Sequence, residues 1–189
     1  MGSSSFLKLI ASILVAGFMF LNIHRLTADM NANSNERVLD SINTQNANAI
    51  IQLLEFDLNR LGLGVNRQEY SIIQAQPHLI SFFSDFDENG VIERVTYSLS
   101  DSTVASQTEN PNDRVLYRTI DSNPDLDLAM GVTRFDLRYF DWHGYETANL
   151  QQIKTIEVTL ECQSIVAYDD YYSTFRWHKY ISPPNIRRY

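Results

Sequence analysis

The chain has 189 residues, a formal charge of −8 and a single cysteine, Cys162. Acidic residues spread along it repel phosphate backbones and exclude non-specific nucleic-acid binding, and one thiol forms no internal disulfide. Less an N-terminal apolar stem, the length leaves one domain of ordinary size. Only the tail Arg187-Arg188 is locally basic.

The first element is the apolar run Leu9 to Ile23, which passes without a Pro into a polar-striped segment ending at Leu61-Gly62. No Pro precedes Pro77, and no strong breaker lies between Gly17 and Gly62, so one helix is expected from about Phe6 to Leu61. At 1.5 Å per residue that is a rod of roughly 80 Å. With Phe6 and Leu7 included and Lys8 snorkelling, the run approaches the length of a membrane-spanning helix. The competing reading is a cleavable secretory signal, but His24-Arg25 and the bulky Leu26 make Leu26-Thr27-Ala28 a poor cleavage site. An anchor with its N-terminus inside is the preferred reading. Residues 1–25 are thus read as the membrane anchor or leader with the first half of the helix, and 26–64 as its extracytoplasmic part.

From Leu26 onward helical periodicity continues through Met30, Val38, Ile42, Ala49, Leu53 and Phe56 or Asp57. Asn31, Asn33, Asn35, Asn43, Asn46 and Asn48 make the middle a mediocre helix by propensity, so tertiary or intersubunit packing must hold it. Ile50 to Leu58 is apolar over a wider arc and should lie against a sheet. Leu61-Gly62-Leu63-Gly64 supplies a left-handed C-cap.

Residues 65–189 alternate and read as an antiparallel β domain. Strands are expected at Tyr70 to Ala75, Leu79 to Phe83, Val91 to Leu99, Arg114 to Ile120, Val132 to Tyr139, Ile153 to Cys162 and Phe175 to Ile181. Turn signals separate them at Asp87-Glu88-Asn89-Gly90, Asn110-Pro111-Asn112-Asp113, Asn123-Pro124-Asp125 and Asp141-Trp142-His143-Gly144. A helix followed by strands predicts an α+β fold, the sheet covering the C-terminal half of the helix.

Several strings resemble a known family. They are Asp57-Leu58-Asn59-Arg60-Leu61-Gly62, the run Ile80 to Leu99, Val115-Leu116-Tyr117-Arg118, Gly131 to Asp141, and Ile153 to Leu160. In these the chain resembles minor pilins and pseudopilins of the PilW type, related to the J-type pseudopilins of type II secretion. The resemblance implies a pilin-like fold, a non-enzymatic subunit of a type IV pilus-like or type II secretion filament, and single-pass insertion in a bacterial inner membrane. It further implies other pilin-like subunits, the inner-membrane assembly platform and membrane lipid as partners. Phe6, Ile10, Leu14, Leu21, Leu26, Met30, Val38 and Ile42 are then the residues expected to carry assembly. One departure is sharp: with Phe6 aligned as the first mature residue, Ser5 stands where the family has a Gly and Ile10 where it has a Glu.

The most specific chemical motif is Asp85-Phe86-Asp87-Glu88-Asn89-Gly90-Val91-Ile92-Glu93. It matches nine positions of an EF-hand-type loop, with Asp85, Asp87, Asn89 and Glu93 as calcium ligands, but position twelve is Thr96 and supplies no bidentate carboxylate. The alternative is a β-hairpin turning at Asn89-Gly90 with positive φ. Strand-like flanks favour the hairpin. No other cofactor is expected.

Catalytic constellations are poor in the sequence, and no enzyme is expected. His24, His78, His143 and His178 lack metal-ligand spacing, and Cys162 lies in an alternating strand with nothing to activate it beside His178. The C-terminal region is rich in aromatics: Tyr168, Tyr171, Tyr172, Phe175, Trp177 and Tyr180, with Asp169-Asp170 as a solvated turn. Tyr172, Trp177 and Tyr180 serve either as a contact surface or to complete the core from an edge strand. The alternative to a filament subunit is a membrane-tethered binding module, adhesin-like or carbohydrate-binding, using these aromatics.

Overall fold

The computed structural model describes residues 2–65, 70–101, 108–121, 126–167 and 171–186. The Asn123-Pro124-Asp125 turn, Tyr168, Asp169-Asp170 and the Arg187-Arg188-Tyr189 tail lie outside the described residues. Helix α1 (Gly2–Arg60) is followed by β1 (Ile72–Gln76), β2 (Leu79–Ser84), β3 (Glu93–Leu99), β4 (Arg114–Ile120), β5 (Leu126–Phe140), β6 (Thr155–Gln163) and β7 (Thr174–Ile181). The chain forms two compact units, Met1–Leu39 and Asp40–Tyr189.

The first unit is helical over its described residues, and all side chains described from Phe6 to Met30 are exposed. Its polar residues bond to the helix's own backbone: Ser12 Oγ donates to the Lys8 carbonyl at 2.8 Å, Asn22 Nδ2 to Phe18 at 2.8 Å and Thr27 Oγ1 to Ile23 at 2.9 Å. Side chains satisfied this way do not need water, which an apolar medium cannot offer.

In the second unit the last turns of α1 lie on a seven-stranded antiparallel sheet whose strands pair in chain order, β1 to β7. Ala47, Ile50, Ile51, Leu54, Leu58 and Leu61 meet Ile80, Phe82, Val95, Tyr97, Phe135, Leu137, Val158 and Leu160 in one core. Fully burying each large aliphatic side chain is worth about 1.5–3 kcal/mol before entropy is counted. The core-facing stripe is offset from the periodic one read in the sequence: Ile42, Ala49 and Phe56 are exposed, and the buried row takes in the polar Asn43 and Asp57.

The helix stops at Arg60 because Gly62 enters the left-handed region at φ 80°. A Cβ there would sit 2.8 Å from Ser71 Oγ and 3.1 Å from the Asn185 carbonyl, so glycine is required on two counts. Ser84 Oγ caps the Arg60 carbonyl at 2.9 Å, and Gly62 N donates to Phe83 O at 2.9 Å, which fastens the helix end to β2.

Strand positions follow the sequence reading with four differences of two or more residues at their starts, the first being β1, which begins at Ile72 rather than Tyr70, where its pairing with Phe82 of β2 starts. β5 begins at Leu126 rather than Val132, because Gly131 at φ 92° carries the strand through a bulge instead of ending it. A Cβ at Gly131 would meet the Gln163 carbonyl at 2.9 Å. β3 begins at Glu93 rather than Val91, and β6 at Thr155 rather than Ile153, which is buried but precedes the ladder.

Candidate functional site

Two features of the molecule stand out chemically: the exposed apolar helix surface and a polar lock that holds the end of α1 on the sheet. The residues expected to carry assembly lie on the first. Phe6, Ile10, Leu14, Leu21, Leu26, Met30, Val38 and Ile42 are all exposed, between 40% and 69%. From Phe6 to Leu26 the apolar side chains point to every side of the helix, and below that they thin to Met30, Val38 and Ile42. The best 18-residue window has a mean hydropathy of 2.1 and none of it is buried. By length and composition this is one helix able to cross a membrane. A helix apolar all round needs lipid or other helices as its surroundings.

The lock was invisible in the sequence. Asp57 on α1, 2% exposed, accepts from Arg118 Nε at 2.6 Å and Nη2 at 3.1 Å, and from the Tyr97 hydroxyl at 2.5 Å. Burial, then the Asp57 carboxylate, pushes the Tyr97 phenol up. Burial lowers the Arg118 pKa, but its bond to Asp57 more than reverses this and holds the guanidinium charged. Phe86 lies against the group, its ring centroid 5.3 Å from Arg118 Cζ and edge-on to Phe56 at 6.2 Å. Further clamps are Asn43 Nδ2 to the Ser173 carbonyl at 2.9 Å and Lys179 Nζ to Glu55 Oε1 at 2.7 Å.

The acidic motif forms an eight-residue loop, 85–92, between β2 and β3 rather than a two-residue hairpin turn. Positive φ falls on Glu88 (60°) and Gly90 (88°), not on Asn89, whose backbone N–H donates to Asp87 Oδ1 at 3.2 Å. Arg60 fixes the loop to the helix end, donating to the Phe86 carbonyl at 2.6 Å and pairing with Glu88 at 3.1 Å. Asp85, Asp87 and Glu93 bring carboxylate oxygens within 4.8 Å of one another, a donor set for a hard cation. Backbone amides of Gly90, Asn89 and Phe86 bond to one oxygen of each, while Asp85 Oδ1 is buried without a partner. Asn89 Oδ1 accepts from Val91 N at 2.7 Å, and Thr96 bonds to Ser81 across β2 and β3 at 2.9 Å. Calcium binding tighter than millimolar that Asp87→Ala abolishes is the signature of the metal reading; a loop held by its own hydrogen bonds shows none.

Strand β7 is an edge strand, and its alternation separates the aromatics. Phe175 and Trp177 pack against the core, whereas Tyr180 is 56% exposed on the opposite face and Tyr172 donates to the Glu109 carbonyl at 3.1 Å. On that outer face Glu157, 8% exposed, accepts from Tyr180 at 3.0 Å and lies 2.7 Å from His178 Nε2 and 3.2 Å from Arg138 Nη1. Burial acts to raise the Glu157 pKa, but the bonds from His178 and Tyr180 and the Arg138 charge outweigh it and hold the carboxyl low.

Cys162 is on the core face of β6 and His178 on the outer face of β7, so they form no nucleophile pair. Burial, then Asp113 and Glu161, pushes the thiol up to about 12. Against an ordinary thiol value of 9.0 this leaves roughly a thousandfold less thiolate at pH 8. Native protein is expected to react with a water-soluble thiol reagent at least about a hundredfold more slowly than urea-unfolded protein, as read by label incorporation over time. His78 lies 3.2 Å from Asp136, His143 lies 3.7 Å from Asp141, and His24 is edge-on to Phe20. Among the described residues no group of three metal-ligating side chains contains a histidine.

The sequence matches no protein-family model and no curated protein. The fold is pilin-like. It joins one long apolar N-terminal helix to an antiparallel sheet packed on the helix's last turns.

Proposed function

We propose that this pilin-like chain is a non-enzymatic minor pilin or pseudopilin, a subunit of a type IV pilus-like or type II secretion filament that assembles through α1. The observation that carries this reading is the apolar surface of residues 6–26, exposed on all sides although the second unit closes its own core. Such a surface requires lipid before assembly and neighbouring helices after it. The chain then sits in a bacterial inner membrane by a single span with its N-terminus inside, and its sheet domain is extracytoplasmic. Met30, Val38 and Ile42 dock other pilin-like subunits, delivered by the assembly platform. Ile10, apolar where the pilins this chain resembles place a Glu, supplies no intramembrane carboxylate to a neighbour's amino terminus, which suits a subunit at a tip.

Deletion of residues 2–30 tests this reading against a tethered binding module. The remaining chain retains the whole second unit, so a cooperative thermal transition is expected to survive. Membrane fractionation and co-purification of other pilin-like subunits are expected to be lost together. Retained co-purification by the truncated chain would overturn assembly through the helix.

A further inference from the structure

The outer face of the sheet carries its charges in cross-strand rows. Arg134, Glu161 and Arg176 are register neighbours on β5, β6 and β7, and Arg138, Glu157 and Tyr180 form a second row. The rows are balanced differently. Arg138 divides its donors between Glu146 (2.7 Å) and Glu157 (3.2 Å), so one guanidinium meets two carboxylates. In the other row two guanidiniums flank Glu161: Arg176 bonds to it through Nε at 2.6 Å, and Arg134 turns its Nε to Asp136. Among the described residues only Nε is engaged in each case, which leaves the terminal amino groups of both side chains for another acceptor.

Arg114 at the start of β4 adds a third guanidinium, and among the described residues no carboxylate pairs with it. These three arginines line one cleft of about 480 Å³ with Asn112, Glu161 and Gln163. Its wall is polar, and the amides of Asn112 and Gln163 add neutral hydrogen-bonding groups. Three guanidiniums and one carboxylate, Glu161, line the cleft, with Asp136 beside Arg134 as a second acid, in a chain whose net charge is −8. An ordinary solvated face of an acidic protein has no reason to gather three arginines around one concavity.

We propose that this cleft is a binding site for a small oxyanion carrying at least two negative charges, a polycarboxylate or a phosphate. Arg134 and Arg176 stand two strand spacings apart, roughly 10 Å, wide enough to be bridged by a ligand that rests over Glu161. With one charged end at each arginine, the ligand gains two attractions that outweigh its repulsion by Glu161, and Arg114 closes the β4 side. Guanidinium groups suit both carboxylate and phosphate because each can donate two parallel bonds. The arginines are largely solvated, Arg134 at 58% and Arg176 at 76% side-chain exposure, so affinity falls in the millimolar class and weakens with salt. The site is independent of the helix surface used for assembly.

The test is calorimetric titration of the full chain in detergent micelles with citrate, with inorganic phosphate and with sodium chloride at matched ionic strength. Saturable one-to-one binding of citrate or phosphate, absent for chloride, is expected. Arg114→Gln and Arg176→Gln are each expected to weaken it about tenfold or more, whereas Arg94→Gln on β3 leaves it unchanged. Near-UV circular dichroism checks that each variant is folded, and Arg114→Lys, which keeps the charge but not the fork, is expected to bind with intermediate strength. Titrations that match chloride, or binding equal in all variants, would overturn the site. Citrate binding without phosphate binding identifies carboxylate as the ligand group, and the reverse identifies phosphate.

Discussion

Arg118→Ala is expected to destabilise the folded chain by about 3–5 kcal/mol, because it strands the Asp57 carboxylate in the core with only Tyr97 to bond it. Asp57→Ala should cost a similar amount by stranding the guanidinium. At about 2–4 °C per kcal/mol for a chain of this size, either change lowers the melting temperature by roughly 6–20 °C. The double variant Asp57→Leu/Arg118→Met, which removes both charges and fills the space, should recover most of the loss. A pair worth nothing would show itself as single variants within about 0.5 kcal/mol of the parent, the range of surface changes.

Tyr97 adds a pH dependence with a definite sign. Its phenol is raised above the ordinary value of 10.0, so its contribution is complete below that pH and is lost as the pH climbs from there towards the folded-state value. Thermal melts between pH 8 and 11 should therefore show a fall that is shallower in Tyr97→Phe. Tyr139, also raised by burial, keeps the variant's slope from vanishing.

The second large effect concerns the helix. Leu14→Arg puts a cation at the middle of the apolar surface, where insertion scales assign about 2.5–3.5 kcal/mol, on the order of a hundredfold in the insertion equilibrium. Membrane association should fall accordingly, while the melting of the sheet domain is unchanged, since Leu14 is 60% exposed and touches no core residue. Val38→Asp should do something different: the chain stays in the membrane and folds, but no longer co-purifies with neighbouring subunits. Fractionation, melting and co-purification on the two variants separate anchoring from docking, and an identical response of both would contradict the division of labour along α1.

Much of the sheet was legible because alternation and turn chemistry are local. Arg114 to Ile120 was read with its observed ends, and β2, β3, β6 and β7 within two residues. The start of β5 was not legible, since only the cross-strand partners show that Gly131 carries the strand through a bulge. The helix register was the harder problem. Phe56 and Asp57 are both compatible with the helical step, and apolarity favours Phe56 as the inward residue. The chain does the reverse, with Phe56 43% exposed and Asp57 buried, because Arg118 and Tyr97 await the carboxylate 61 and 40 positions away. The same holds for the arginine cleft: Arg114, Arg134 and Arg176 are isolated charges in the sequence and become neighbours only through the registry of four strands.

The most direct test of assembly through α1 is photo-cross-linking in native membranes from a reactive residue placed at Leu21 or at Val38, with the partners identified by mass spectrometry. Adducts at both positions to the N-terminal helices of other pilin-like subunits are predicted. Lipid adducts alone at Leu21, with no protein adduct at Val38, would contradict the filament account and leave a tethered domain.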